Sequence, residues 1–183
     1  MKNVWMKGML ALALLLGLGA AQVLRADMDE AKKNMPAPQM PADFDKLKGL
    51  VGTWKGTAEM GGGKPMEVTN TFELTSNGTA ILEKVCAGSP HEMVSVYHAE
   101  GGKMMMTHYC SLGNQPKMTL MKSTDDSLVF AMKGTSGIKS AKDMHMHAMT
   151  ITWKDKDHIT ENWSMYNEGK DQGAKPFVLT RVK

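Results

Sequence analysis

The sequence predicts an all-β fold: an up-and-down antiparallel β-barrel of about ten strands, with a short N-terminal helix closing one end. Three observations lead there. From Gly52 onward, short runs of alternating apolar and polar residues follow one another. The separators are rich in Gly, Asn, Asp and Pro, which tolerate positive φ or pre-set a turn. Gly52-Thr53-Trp54 opens the first run and Arg181 sits on the last, where a closed sheet would bring indole and guanidinium together. A meander that closes on itself also leaves no sticky edge.

The helix comes first, with Phe44, Leu47 and Val51 on one face and Asp43 as its N-cap. Strands are then expected at 52–60, 66–75, 79–86, 91–98, 103–110, 117–122, 127–132, 143–154, 158–166 and 177–182. In the second, Met66, Val68, Phe72 and Leu74 alternate with Glu67, Thr69, Thr71 and Glu73, so one face is buried and the other wet. Asn77-Gly78 reads as a two-residue type I′ turn pairing Leu74 with Ile81 and Phe72 with Glu83. With tight hairpins following, Val94, Val96, His98, Met105, Thr107 and Tyr109 face inward. A shift of one residue reverses this and buries Leu82, Met93, Met104, Met106 and His108. The Asn-Gly signal favours the first arrangement. Across the turn at 155–157, the register pairs Trp153 with Ile159, Ile151 with Glu161, Met149 with Trp163 and His147 with Met165. That apolar set faces inward and takes His145, His147 and Glu161 with it.

Residues 1–21 have the features of an export signal: Lys2 and Lys7, the apolar run Met9 to Ala20, and small residues Gly19-Ala20-Ala21 for cleavage. The run is too short to span a bilayer, so a periplasmic or extracellular location is expected. Residues 22–41, interrupted by Pro36, Pro38 and Pro41, read as a flexible arm, and 42–183 as the barrel domain. Two of the +3 formal charges belong to the leader, and no basic cluster appears, which argues against a nucleic-acid partner. No Gly-x-Ser-x-Gly, His-Glu-x-x-His or phosphate-cradling loop is present. No catalytic residue is assigned, and the balance leans away from an enzyme.

Gly52-Thr53-Trp54 after a short helix, the run of hairpins and Arg181 on the final strand resemble the calycin superfamily of lipocalins, fatty-acid-binding proteins and nitrobindin-like barrels. The resemblance covers residues 43–183. It implies that Trp54 packs at the closed end with Arg181 stacked over it. Thr107-His108-Tyr109-Cys110, followed by Gly113-Asn114-Gln115-Pro116, is similar to secreted bacterial lipocalin-like proteins of no assigned activity. Nitrobindin-like barrels hold haem through a His near the C-terminal end; residues 177–182 contain none, so haem is not expected by that route.

The function expected is binding of a small, mostly apolar ligand inside the barrel. Candidate contacts are Phe72, His98, Met105, Tyr109, His145, His147, Met149, Glu161 and Trp163, with the polar members fixing orientation. The alternative is a metal-binding protein, because 19 methionines, three of them in the leader, are a large excess and thioethers suit copper. Cys86, His91, His108 and Cys110 are its candidate ligands, for copper or zinc. Cys86 and Cys110 are equally the candidate disulfide of an exported chain. Tight hairpins set them on either side of an intervening strand, so a bridge requires the strand ends to bend; otherwise the thiols are free. A structural or partner-binding barrel without a ligand is the third reading.

Overall fold

The computed structural model describes residues 39–59 and 64–183. The expected leader and nearly all of the expected arm lie outside the described residues. Met40–Lys183 forms one compact unit. It opens with α1 (Phe44–Lys48) and continues through β1 (Gly52–Glu59), β2 (Pro65–Thr75), β3 (Ala80–Val85), β4 (Met93–Glu100) and β5 (Lys103–Tyr109). Then follow β6 (Lys117–Ser123), β7 (Ser127–Met132), β8 (His145–Asp155), β9 (His158–Asn167) and β10 (Lys170–Arg181). The ten strands form a closed antiparallel barrel in which each pairs with its sequence neighbours and β1 pairs with β10.

At the seam Trp54 lies directly opposite Arg181. The indole is fully buried, and the guanidinium carbon stands 4.2 Å from its ring centre. Trp54 Nε1 donates to the Leu50 carbonyl at 2.7 Å, and Arg181 donates to the carbonyls of Val51, at 2.9 Å, and Gly49. One side chain thus satisfies carbonyls left open at the end of α1, where a cation also suits the helix dipole. Phe44, Leu47 and Leu50, all fully buried, fill the space beneath. Asp43 does not cap α1 through its side chain. Its carboxylate accepts instead from Ser123 Oγ and pairs with Lys46 at 3.4 Å, tying α1 to β6.

The same seam depends on Gly56, opposite Leu179: a Cβ there would stand 1.8 Å from the Val178 carbonyl oxygen. Backbone cannot yield as a flexible side chain does. Gly56→Ala is therefore expected to lower stability by about 1–3 kcal/mol, or more, in a urea titration. A loss within about 0.5 kcal/mol would mean that the seam is looser than described.

Two registers follow the sequence reading. Leu74 pairs with Ile81 and Phe72 with Glu83 across a turn in which Asn77 (φ 53°) and Gly78 (φ 84°) are left-handed. Trp153 pairs with Ile159, Ile151 with Glu161 and Met149 with Trp163. Beyond that point β8 bulges: Met146, not His147, meets Met165, and His147 is the extra residue. β10 begins at Lys170 rather than at 177, because the Glu168-Gly169 turn (φ 51° and 70°) is tight and an irregularity between Asp171 and Ala174 absorbs the offset.

The facing of β4 and β5 is the main correction. Cys86 adopts φ 56° and Gly88 φ 75°, and the turn they build pairs Val85 with Met93 and Ile81 with Tyr97, one residue away from the tight-hairpin register. The inward residues are therefore Met93, Ser95 and Tyr97 on β4, with Met104, Met106 and His108 on β5, all buried. His98 and Met105 face outward and are only partly buried, and Tyr109 is 50% exposed.

Candidate functional site

A buried polar cluster crosses the barrel interior. Glu83 on β3 and Glu161 on β9 are both fully buried and close enough for each to influence the other's proton. Asn70 Nδ2 bridges them, at 3.1 Å from Glu83 Oε1 and 3.2 Å from Glu161 Oε2, while its Oδ1 accepts from the Cys86 amide at 3.0 Å. Tyr97 donates to Glu83 Oε2 at 2.7 Å. Burial raises Glu83 from 4.5 to about 7 against the lowering effect of these bonds. Burial, then the charge of Glu83, raises Glu161 well above the usual carboxylate range. Two carboxyls this close in an apolar interior cannot both ionise readily, so at neutral pH the pair retains a proton. Burial, reinforced by the charges of Glu161 and Glu83, pushes the Cys86 thiol up to about 11.

Ser95 links this cluster to His108. The hydroxyl bonds to Glu83 and also lies 3.1 Å from His108 Nδ1. It has one hydrogen, and in the tautomer where that hydrogen goes to Glu83 it receives the imidazole N–H on Nδ1. Nε2 is then the bare lone pair on the other edge of the ring. It is buried with no hydrogen-bond partner among the described residues, and His108 itself is 1% exposed. Burial lowers its pKa from 6.5 to about 4, so the ring is neutral.

His108 and Trp163, ring centres 4.5 Å apart, wall a pocket of about 310 Å³ at the end of the barrel opposite α1. The ends of β2, β3, β4 and β8 supply Met66, Val85, Met93 and Met146, and the middle of β10 supplies Phe177, so the lining is overwhelmingly apolar. His91 and Cys110 line it too, and Glu59 and Lys175 bring one charge of each sign. Cys110 Sγ stands 3.9 Å from Met93 Sδ.

Of the nine ligand contacts expected from sequence, Trp163 lines this pocket. Glu161 lies behind it in the carboxyl pair, and Phe72 and Met149 are buried in the core. His98, Met105 and Tyr109 are corrected to the outer face. His145 is buried, its Nε2 3.1 Å from His147 Nδ1, and His147 stacks on Tyr166 at 4.0 Å. Of the four candidate metal ligands, His91, His108 and Cys110 share the pocket, whereas Cys86 borders a separate groove with Glu67, Thr69 and Gly88. Cys86 and Cys110 are both buried as thiols. No group of three or more His, Cys, Asp or Glu side chains among the described residues is placed to hold a metal ion.

Sequence reasoning missed Glu83, Asn70 and Ser95, and of the methionine wall it placed Met66 and Met165 inward but, in the register it favoured, not Met93 or Met146. The signal for the pair was present: one acid opposite inward Phe72 and another opposite inward Ile151.

No protein-family model and no curated protein matches the chain. Among solved structures, it aligns with Rv2717c from M. tuberculosis at 14% identity and TM-score 0.49, over 79% of this chain and 100% of that one. It also aligns with a protein of unknown function of the DUF3598 family from Nostoc punctiforme PCC 73102, at 13% identity and TM-score 0.42. That match covers 81% of this chain and 53% of the other, so the chain spans about half the length of that protein. No helix among the described residues is long and apolar enough to cross a membrane.

Proposed function

We propose that this protein is an exported barrel of the calycin type that holds a small, mostly apolar molecule in its end pocket. One observation carries the reading: an apolar recess of about 310 Å³ with a buried, unpartnered imidazole nitrogen in its wall. The volume is at the lower end of small-molecule sites, and one or two placed polar atoms in an apolar wall are what such sites use to orient a ligand. Met66, Met93 and Met146 suit the role because unbranched thioethers adapt to the shape presented. The carboxyl pair behind His108 and Trp163 holds both rings in place through Ser95 and through the Trp163 indole N–H, 3.5 Å from Glu161 Oε2.

An apolar fluorescent naphthalene probe tests this on metal-free protein. The full chain is expected to bind one probe with quenching of indole emission. Met165→Trp, which fills the pocket wall, is expected to weaken binding by at least about tenfold, since overfilling a packed site excludes its occupant. Absence of probe binding, together with no organic molecule carried through native mass spectrometry of protein from its own host, would defeat the reading.

A further inference from the structure

We propose that the wall of this pocket formed by Met93, His108 and Cys110 is a binding site for a soft monovalent cation, Cu(I). The strand register sets the donors together. Val94 pairs with Tyr109 and Ser95 with His108, so Met93, His108 and Cys110 occupy adjoining positions at the same end of the β4–β5 pair. All three are buried and all three line the pocket.

The geometry of the sulfurs is the first argument. Cys110 Sγ and Met93 Sδ are 3.9 Å apart. Two sulfurs each ~2.3 Å from one metal and about 120° apart are separated by about 4 Å. The pair therefore already has the spacing that a three-coordinate centre requires. The second argument is independent of it. His108 Nδ1 is engaged by Ser95, which leaves Nε2 as a lone pair without a partner among the described residues, on a side chain 1% exposed. Thiolate, thioether and imidazole are the donors that favour Cu(I), and a thioether in the set explains why no His, Cys, Asp and Glu cluster marks the place.

Charge selects the valence. As the metal–sulfur bond forms, the Cys110 thiol proton leaves to solvent. Thiolate and Cu(I) then sum to zero, which an apolar wall tolerates. A divalent ion on the same donors would leave a net positive charge in that wall, at a large desolvation cost. Glu59 and Lys175 at the same pocket offset each other. No electron is transferred, and the ion enters and leaves as Cu(I).

The inference goes beyond the apolar-ligand reading and is tested apart from it, in the absence of organic ligand. The full chain is titrated anaerobically with Cu(I) against a chromophoric Cu(I) chelator. One Cu(I) per chain is expected, with an X-ray absorption shell of two sulfurs and one nitrogen. Cys110→Ser and Met93→Leu are each expected to weaken binding by at least about tenfold, the scale on which even outer-shell changes act. Met93→Leu preserves volume and so keeps the fold a fair control. Cys86→Ser, on its separate groove, and Met121→Leu, on the exposed bulge of β6, are expected to bind as the parent does. No binding, binding undiminished by both ligand variants, or tighter retention of Zn(II) than of Cu(I) would each overturn the proposal. Probe binding that survives while copper binding fails would leave the apolar pocket standing alone.

Discussion

The barrel is expected to be more stable near pH 5 than near pH 8, the reverse of ordinary acid denaturation. In the unfolded chain Glu83 and Glu161 release their protons near the usual carboxylate value. In the native barrel burial raises Glu83 from 4.5 to about 7 and Glu161 well above its ordinary value. Between those limits the native state binds more protons, so rising pH favours unfolding. The contribution is complete below about 4.5 and is lost as pH climbs through about 7, at about 1.4 kcal/mol per unit for each group still protonated. For Glu83 this amounts to on the order of 3 kcal/mol, and Glu161 adds in the same direction. His108 acts oppositely: burial lowers it from 6.5 to about 4, so its neutral native form loses stability as pH falls through that range. His147, lowered from 6.5 chiefly by burial, acts with His108, and above about 6.5 both histidines are neutral in either state, so only the falling terms remain. Urea midpoints at the two pH values decide it. Replacing both acids, Glu83→Gln with Glu161→Gln, is expected to flatten the decline. A midpoint that rises from pH 5 to 8, or a double variant that keeps the parent slope, would remove the shared proton from the account.

Trp54→Ala is expected to cost about 3–5 kcal/mol, the range for truncating a fully buried aromatic side chain. The loss has three parts. Packing against the helix end disappears, the Leu50 carbonyl loses its indole donor, and Arg181 loses the face beneath it. Arg181→Lys keeps the charge but not the flat fork that reaches two carbonyls at once, and is expected to cost about 1–2 kcal/mol. Equilibrium unfolding of both variants checks the order. A Trp54→Ala loss below about 1 kcal/mol would mean that the helix end is sealed by something else.

Much of the architecture was legible because turn chemistry is local. Asn77-Gly78 needs left-handed backbone, and that alone set β2 against β3; the Asp155–Asp157 turn did the same for the first rungs of β8 and β9. Legibility ended where one residue changes everything. Cys86 takes a left-handed conformation that nothing in its side chain announces, and the resulting shift turned His98, Met105 and Tyr109 outward and His108 inward. The bulge at His147 is equally silent, since an added residue leaves composition and alternation almost unchanged. The site suffered accordingly. His91, His108 and Cys110 were gathered by sequence, but as a rim on the outer face. Met165 was placed inward by the sequence, whereas Met93 and Met146 were hidden because neighbouring methionines on a strand diverge to opposite faces, and only the register says which enter the pocket.

The β1–β10 seam has a consequence for how the chain acquires its shape. Nine of the ten strand pairings join neighbours in sequence, so each can zip from its own turn. The tenth brings Arg181 to Val51, 130 residues away, and bears the largest single loop-closing entropy, about 4 kcal/mol on the logarithmic scale. Until β10 is made and docks, the curled ladder carries two naked flanks, each a template for a second chain. The slowest and most aggregation-prone interval thus precedes that single contact, and agents that shield strand flanks should raise refolding yield most when added before it forms.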